Sequence, residues 1–247
     1  MHASDIDFRI QFFDRLPSSN IHAQELNKKG EMRHGDVILT DYQLKGKGQK
    51  SARWDSKPKE NLLFSLFLTL EIPTESLFQL NKMASLAIAD LLDNLAVADV
   101  AVKWPNDILA KKRKICGILI ENSIQGNTAN HSVIGVGLNV NQIQFPGFDR
   151  QATSLKMELG KDMDRKILLE DLLQSFNTRI NQLARNADQL NRDYHNLLYG
   201  RGRFMNFESE GNQFQGKVKG VDHSGTLIIE KGEEELQFNV KELKFLD

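Results

Sequence analysis

Four short stretches of this chain carry amides, cations and carboxylates at spacings that could do chemistry. The densest is DYQLKGKGQKSARWD, Asp41 to Asp55, where Gly46 and Gly48 alternate with lysines and Lys45, Lys47, Lys50 and Arg53 all precede Trp54. Glycines bring backbone N–H groups close to an anion, and lysines supply charge. The pattern is not a nucleotide P-loop, because Gln49 stands where Lys50-Ser51 would need a glycine. Nor is it the glycine turn of a dinucleotide fold, since an apolar strand follows it and not a helix. A solvated basic turn has the same composition, so the stretch alone leaves both readings open. As an anion loop it is expected to lack structure when empty, with Trp54 packing as it closes.

In VKWPNDIL, Val102 to Leu109, Lys103 and Asn106 could meet phosphates while Asp107 meets a metal or an amine. The same letters make an ordinary strand ending in a Pro-Asn-Asp turn, and spacing does not decide between them. In KRKICGILIEN, Lys111, Lys112 and Arg113 read as a solvated hairpin tip, whereas Lys114 starts a strand in which Gly117 allows close approach. In GVGLNVNQ, Asn139 and Asn141 alternate outward beyond Gly135 and Gly137. Cys116 reads as a small buried hydrophobe, because no histidine lies near it in sequence.

These groups need a scaffold. A chain of 247 residues can build one large domain, or a main domain plus a small one. With 32 basic against 33 acidic residues it has no overall field for nucleic acid or an anionic membrane, so any anion site must be local. A single cysteine excludes an internal disulfide, and the longest apolar stretch, LLFSLFLTL, is far below the roughly 20 residues of a membrane-spanning helix. No signal peptide is legible, and a cytosolic protein is expected.

Ser18 or Ser19 is placed to cap a helix through NIHAQELNKK that Gly30 stops. GDVILTDYQ reads as a strand, and NLLFSLFLTL as one buried on both faces. Pro73-Thr74 opens a helix with Leu77, Leu80, Ala84, Ala87, Leu91 and Leu95 on one side. VAVKW, the hairpin ILAKKRKICGILIEN and HSVIGVGLNVN supply further strands, QIQFPGFDRQATSL a loop, and residues 162–198 one helical run. Beyond it, short strands separated by turns read as a small barrel. The expectation is an α+β main domain over 1–199 and a small domain over 200–247.

In their order, these stretches resemble the biotin protein ligases. LPSSN is similar to the family's biotin motif, YQLKGKGQKSARW to its glycine-rich biotin loop, and KWPND, KICGIL and GVGLNV follow as in the family. The resemblance implies a class II aminoacyl-tRNA-synthetase-like mixed sheet with flanking helices, followed by an SH3-like barrel. It implies that biotin and ATP form biotinyl-5′-AMP, from which biotin passes to a lysine of a biotin carboxyl carrier protein. On the same ground Ser18, Ser19, Asn20 and Gln43 would hold the ureido ring. Lys47, Gly48, Gln49, Trp54, Lys114 and Gly117 would surround the valeryl carboxylate and α-phosphate. Lys50, Lys103, Asn106 and Asn139 are the candidates for ATP, and Asp107 for Mg²⁺ held through the phosphates or for the acceptor amine, with Lys114, Lys47 and Asp107 the catalytic set.

The loop departs from the family pattern, with Lys47 and Gln49 where arginines are usual and Ser51 where a third glycine stands. Lysine lacks the bidentate fork, and Gln49 lacks charge, so weaker retention of the adenylate is expected. Only 17 residues precede Ser18, too few for a helix-turn-helix, so a ligase without DNA binding is expected, as monomer or homodimer. The alternative within the same fold is a lipoate or octanoate ligase or transferase.

Overall fold

The structure is a computed structural model that describes residues 5–49, 52–145 and 152–246. Its centre is a seven-stranded mixed sheet in the order β1-β2-β3-β7-β6-β5-β4. The strands are β1 (Arg9–Phe13), β2 (Asp36–Thr40), β3 (Leu62–Pro73), β4 (Val100–Lys103), β5 (Asp107–Ala110), β6 (Arg113–Gln125) and β7 (Thr128–Leu138). Only β1 and β2 run parallel.

The continuous apolar run of β3 reflects its central place. Phe64, Leu66 and Leu68 enter the main core, while Phe67 packs on the opposite face with Ala23, Ile38 and Val133. The main core lies beneath α2 (Phe78–Asn94) and α4 (Arg165–Arg185), whose apolar positions recur at helical spacing. The opposite face is partly covered by α1 (Ser19–Lys28), which Gly30, at φ +73°, terminates as expected.

Ser18 occupies the N-cap position of α1 but its hydroxyl caps nothing. The first-turn N–H of Ser19 is instead accepted by Gln43 Oε1 at 2.8 Å. The expected single helical run over 162–198 is two helices, because Asn186 accepts from Gln189 N and starts α5 (Ala187–Leu197). A short helix missed in the sequence, α3 (Leu155–Leu159), begins where Ser154 accepts from Met157 N.

The C-terminal strands β8 (Phe204–Ser209), β9 (Asn212–Val221), β10 (Leu227–Lys231), β11 (Glu234–Phe238) and β12 (Lys244–Phe245) form an antiparallel five-stranded sheet in the order β11-β10-β9-β8-β12. Its apolar face, with Phe207, Val218, Leu227 and Ile229, is continuous with the main core. Two polar contacts fasten it further. Trp104 Nε1 donates to Gly225 O at 2.9 Å, and the buried Lys82 ammonium donates to Asn191 Oδ1 at 2.9 Å and Asp222 O at 3.1 Å.

Candidate functional site

Strand register builds the site. On the face away from the helical core, Leu63, Gly137, Gly117 and Asp107 stand side by side across β3, β7, β6 and β5. The next row is Ser65, Gly135 and Leu119. The glycines clear this face for other side chains. A Cβ on Gly137 would lie 2.4 Å from the Trp54 ring, one on Gly117 2.9 Å from it, and one on Gly135 2.3 Å from Asn20 Oδ1. The indole and the amide thus lie directly on backbone.

A cavity of about 230 Å³ opens over these rows. It gathers Ser18, Ser19, Asn20 and Gln43 with Lys47, Gly48, Gln49 and Trp54, and with Asn106, Asp107, Lys114 and Gly117. The same cavity includes Arg53, Gly135 and Gly137, noted in the sequence as a loop cation and two strand glycines, and Ala52, Ile118, Leu119 and Val136, which the sequence did not single out. Its polar end is a connected network. Ser65 Oγ lies 2.7 Å from Ser19 Oγ and 2.6 Å from Asn20 Oδ1, and Asn20 Nδ2 donates to Glu121 Oε2 at 2.8 Å and Leu119 O at 3.2 Å.

The cationic end is centred on Lys114. Its ammonium is 2.6 Å from Asp107 Oδ1 and 5.4 Å from the Trp54 ring centre. Asn106 lines the cavity while its Nδ2 donates to Ile118 O at 2.7 Å, which holds the KWPND turn against β6. The Trp104–Pro105 peptide in that turn is cis. The loop does not lack structure in its described part: Gly48 N donates to Ala52 O at 2.7 Å and Trp54 N to Gly46 O at 3.0 Å. These bonds join the two described sides of the loop, and Trp54 lies across the glycines. The Trp54 indole N–H is buried without a partner among the described residues.

Two predicted nucleotide residues lie elsewhere, and a third, Lys50, lies outside the described residues. Lys103 is buried beside the cavity, its ammonium 4.8 Å from the Phe245 ring centre, in an adjoining pocket shared with Gln49, Asp107, Lys241 and Lys244. Asn139 does not reach either pocket: it is buried, and its amide donates to Thr153 O at 2.9 Å, fastening the segment before α3. Among the described residues no three His, Cys, Asp or Glu side chains converge as a metal site. Cys116 is fully buried, and burial pushes its thiol well above the usual range, which removes it as a nucleophile.

A mixed sheet with a glycine-cleared face, closed by a basic loop, forms a cleft with a polar end and a cationic end. Residues 12–139 match the model of the biotin/lipoate A/B protein ligase family, and the chain belongs to that family. It is 30% identical over 226 residues to the bifunctional ligase/repressor BirA of Bacillus subtilis, covering 90% of this chain and 69% of that protein. It is also 30% identical over 204 residues to the biotin–[acetyl-CoA-carboxylase] ligase of Mycobacterium tuberculosis, covering 80% of this chain and 74% of that one. The biotin protein ligase of Aquifex aeolicus in complex with biotin and ATP has the same fold, with a TM-score of 0.77 at 24% identity over 96% of this chain and 97% of that chain.

Proposed function

We propose that this chain joins biotin to AMP at the expense of ATP and passes the biotin to a lysine of a carboxylase's carrier protein. The observation that supports it is a single cavity with an amide-and-hydroxyl end at Ser19 and Gln43 and a cationic end at Lys114. A ureido ring with an acidic side arm offers the complementary groups in that order. Residues 1–199 are read as the catalytic unit and 200–247 as a small SH3-like unit packed on it, acting in the cytoplasm.

In the first step the biotin carboxylate attacks the α-phosphorus of ATP and pyrophosphate leaves. Two anions must meet, so the work of the site is positioning and charge stabilisation. Lys114 and Lys47 would hold the carboxylate and α-phosphate. The adjoining pocket with Gln49, Lys103, Lys241 and Lys244 would take the remaining phosphates. Mg²⁺ would come bound to those phosphates and neutralise them, with Asp107 fitting as one protein ligand. In the second step the carrier lysine, as a free amine, attacks the mixed anhydride and AMP leaves. Its reference pKa is near 10.4, so a carboxylate that takes its proton would help, and Asp107 is the one in place.

Exchange of labelled pyrophosphate into ATP tests this reading. It should depend on biotin and not on lipoate or octanoate, and should fall by about 10²–10³ in Lys114→Ala. Exchange with lipoate or octanoate instead would move the chain to the other branch of its family.

A further inference from the structure

Glu121 does not line the ligand cavity, yet it touches Asn20, which does. We propose that Glu121 is a positioning residue: together with the Leu119 carbonyl, and at the shorter distance, it sets the direction of a hydrogen-bond chain that presents Ser19 as an acceptor and Gln43 as a donor to the ureido ring. This rests on the biotin reading above.

The direction follows from which atoms can only accept. One end of the Asn20 amide lies 2.8 Å from a Glu121 carboxylate oxygen and 3.2 Å from Leu119 O. Both neighbours are acceptors, so that end must be the NH₂ group, with a hydrogen for each. Oδ1 therefore faces Ser65 Oγ at 2.6 Å and takes its only proton. The Ser65 oxygen has lone pairs left, and at 2.7 Å it must accept from the Ser19 hydroxyl. That hydroxyl then cannot also serve Gln43 Oε1, 3.3 Å away, and offers any further partner only lone pairs. Gln43 Oε1 is already held by the Ser19 backbone N–H at 2.8 Å, so Gln43 Nε2 is the group left for a ligand.

The result is one acceptor and one donor, which match a ring N–H and the ring carbonyl of a ureido group. A reversed chain would set Asn20 Oδ1 against two acceptors at once. Ser65, Ser19 and Asn20 are all buried, so an unmatched atom among them would lose a hydrogen bond that water cannot replace. Biotin's recognition end is thus aligned from outside the cavity, by a carboxylate two residues beyond Leu119.

The test compares Glu121→Gln, which keeps an acceptor oxygen, with Glu121→Met, of similar size and without one. In biotin-dependent pyrophosphate exchange, E121Q should stay within about twofold of the unaltered protein. E121M should raise the KM for biotin about tenfold with kcat within about twofold, the signature of binding lost equally from ground and transition states. Ser65→Ala breaks the chain one link on and should act alike. The double variant should be no worse than either single one by more than about twofold, because both cut the same chain. Equal KM values for E121M and E121Q, or additive losses with S65A, overturn the inference while the biotin reading stands. Should E121M fail to fold, an unchanged KM in S65A overturns it equally. Absence of biotin-dependent exchange in the unaltered protein overturns both.

Discussion

The Lys114 ammonium lies 2.6 Å from Asp107 Oδ1, and both residues border Gly117 on the cleared face of the sheet. This pairing holds the lysine head over the cavity, where the proposed reaction brings an acid and a phosphate together. It also leaves Asp107 free of that role once anions occupy the lysine.

Asp107→Asn should therefore separate the two half-reactions. Pyrophosphate exchange should fall by no more than about tenfold, as the hold on Lys114 and Mg²⁺ weakens, while single-turnover transfer from preformed adenylate to carrier should slow by about 10²-fold or more, the usual contribution of a general base. Equal losses in both steps would remove Asp107 from the proton transfer.

Trp54 reaches its place only because Gly137 and Gly117 carry no side chains. Gly137→Ala should thus copy Trp54→Ala, each raising the KM for biotin about fivefold to tenfold as the indole and its cation contact are displaced. A Gly137→Ala enzyme with unchanged KM would show that the indole is not part of the closed site.

Gln49 borders both the cavity and the adjoining pocket with Lys103 and Lys244. An arginine there adds a charged, forked donor toward the phosphate. Gln49→Arg should slow release of the adenylate about tenfold, measured as its dissociation after rapid gel filtration. An unchanged release rate would sink the argument from loop charge.

Much of this site was legible in the chain, and the reason is local. Most of the residues that line the cavity sit in short contiguous motifs, and the run NLLFSLFLTL announced a strand with two buried faces. Ser65 is the one hydroxyl among the first seven residues of β3, a signal that could have been read. Glu121 and Asn20 are joined only by helix placement and strand register, which no spacing along one segment reveals. Asn139 lies outside the cavity for a related reason: its amide is bonded to Thr153 O, in a segment the sequence shows only as loop. The break at Asn186 was missed because apolar periodicity continues across it, although Asn-Ala-Asp is a good cap.

Lys82 makes stability depend on alkaline pH. Burial lowers its pKa to about 8 from the usual 10.5, with Asp222 opposing the shift. Between these values the unfolded chain holds a proton that the folded one has lost, so stability rises with pH across that window. The stability difference between the unaltered protein and Lys82→Met should rise by up to about 3 kcal/mol from pH 8 to pH 10.5 in urea titrations. A flat difference would mean that Lys82 keeps its proton in the fold.

The rings over Lys103 have an implication for how the molecule is made. Phe245, at 4.8 Å from that ammonium, sits on β12, and β12 pairs with β8. The Trp104 indole is held meanwhile by Gly225 on the turn between β9 and β10. During synthesis the KWPND turn leaves the ribosome long before the residues that roof it. The corner at Lys103 and Trp104 stays uncovered until β12 and the β9–β10 turn are in place, so a chain still emerging, or cut short before β12, holds its KWPND turn without a roof.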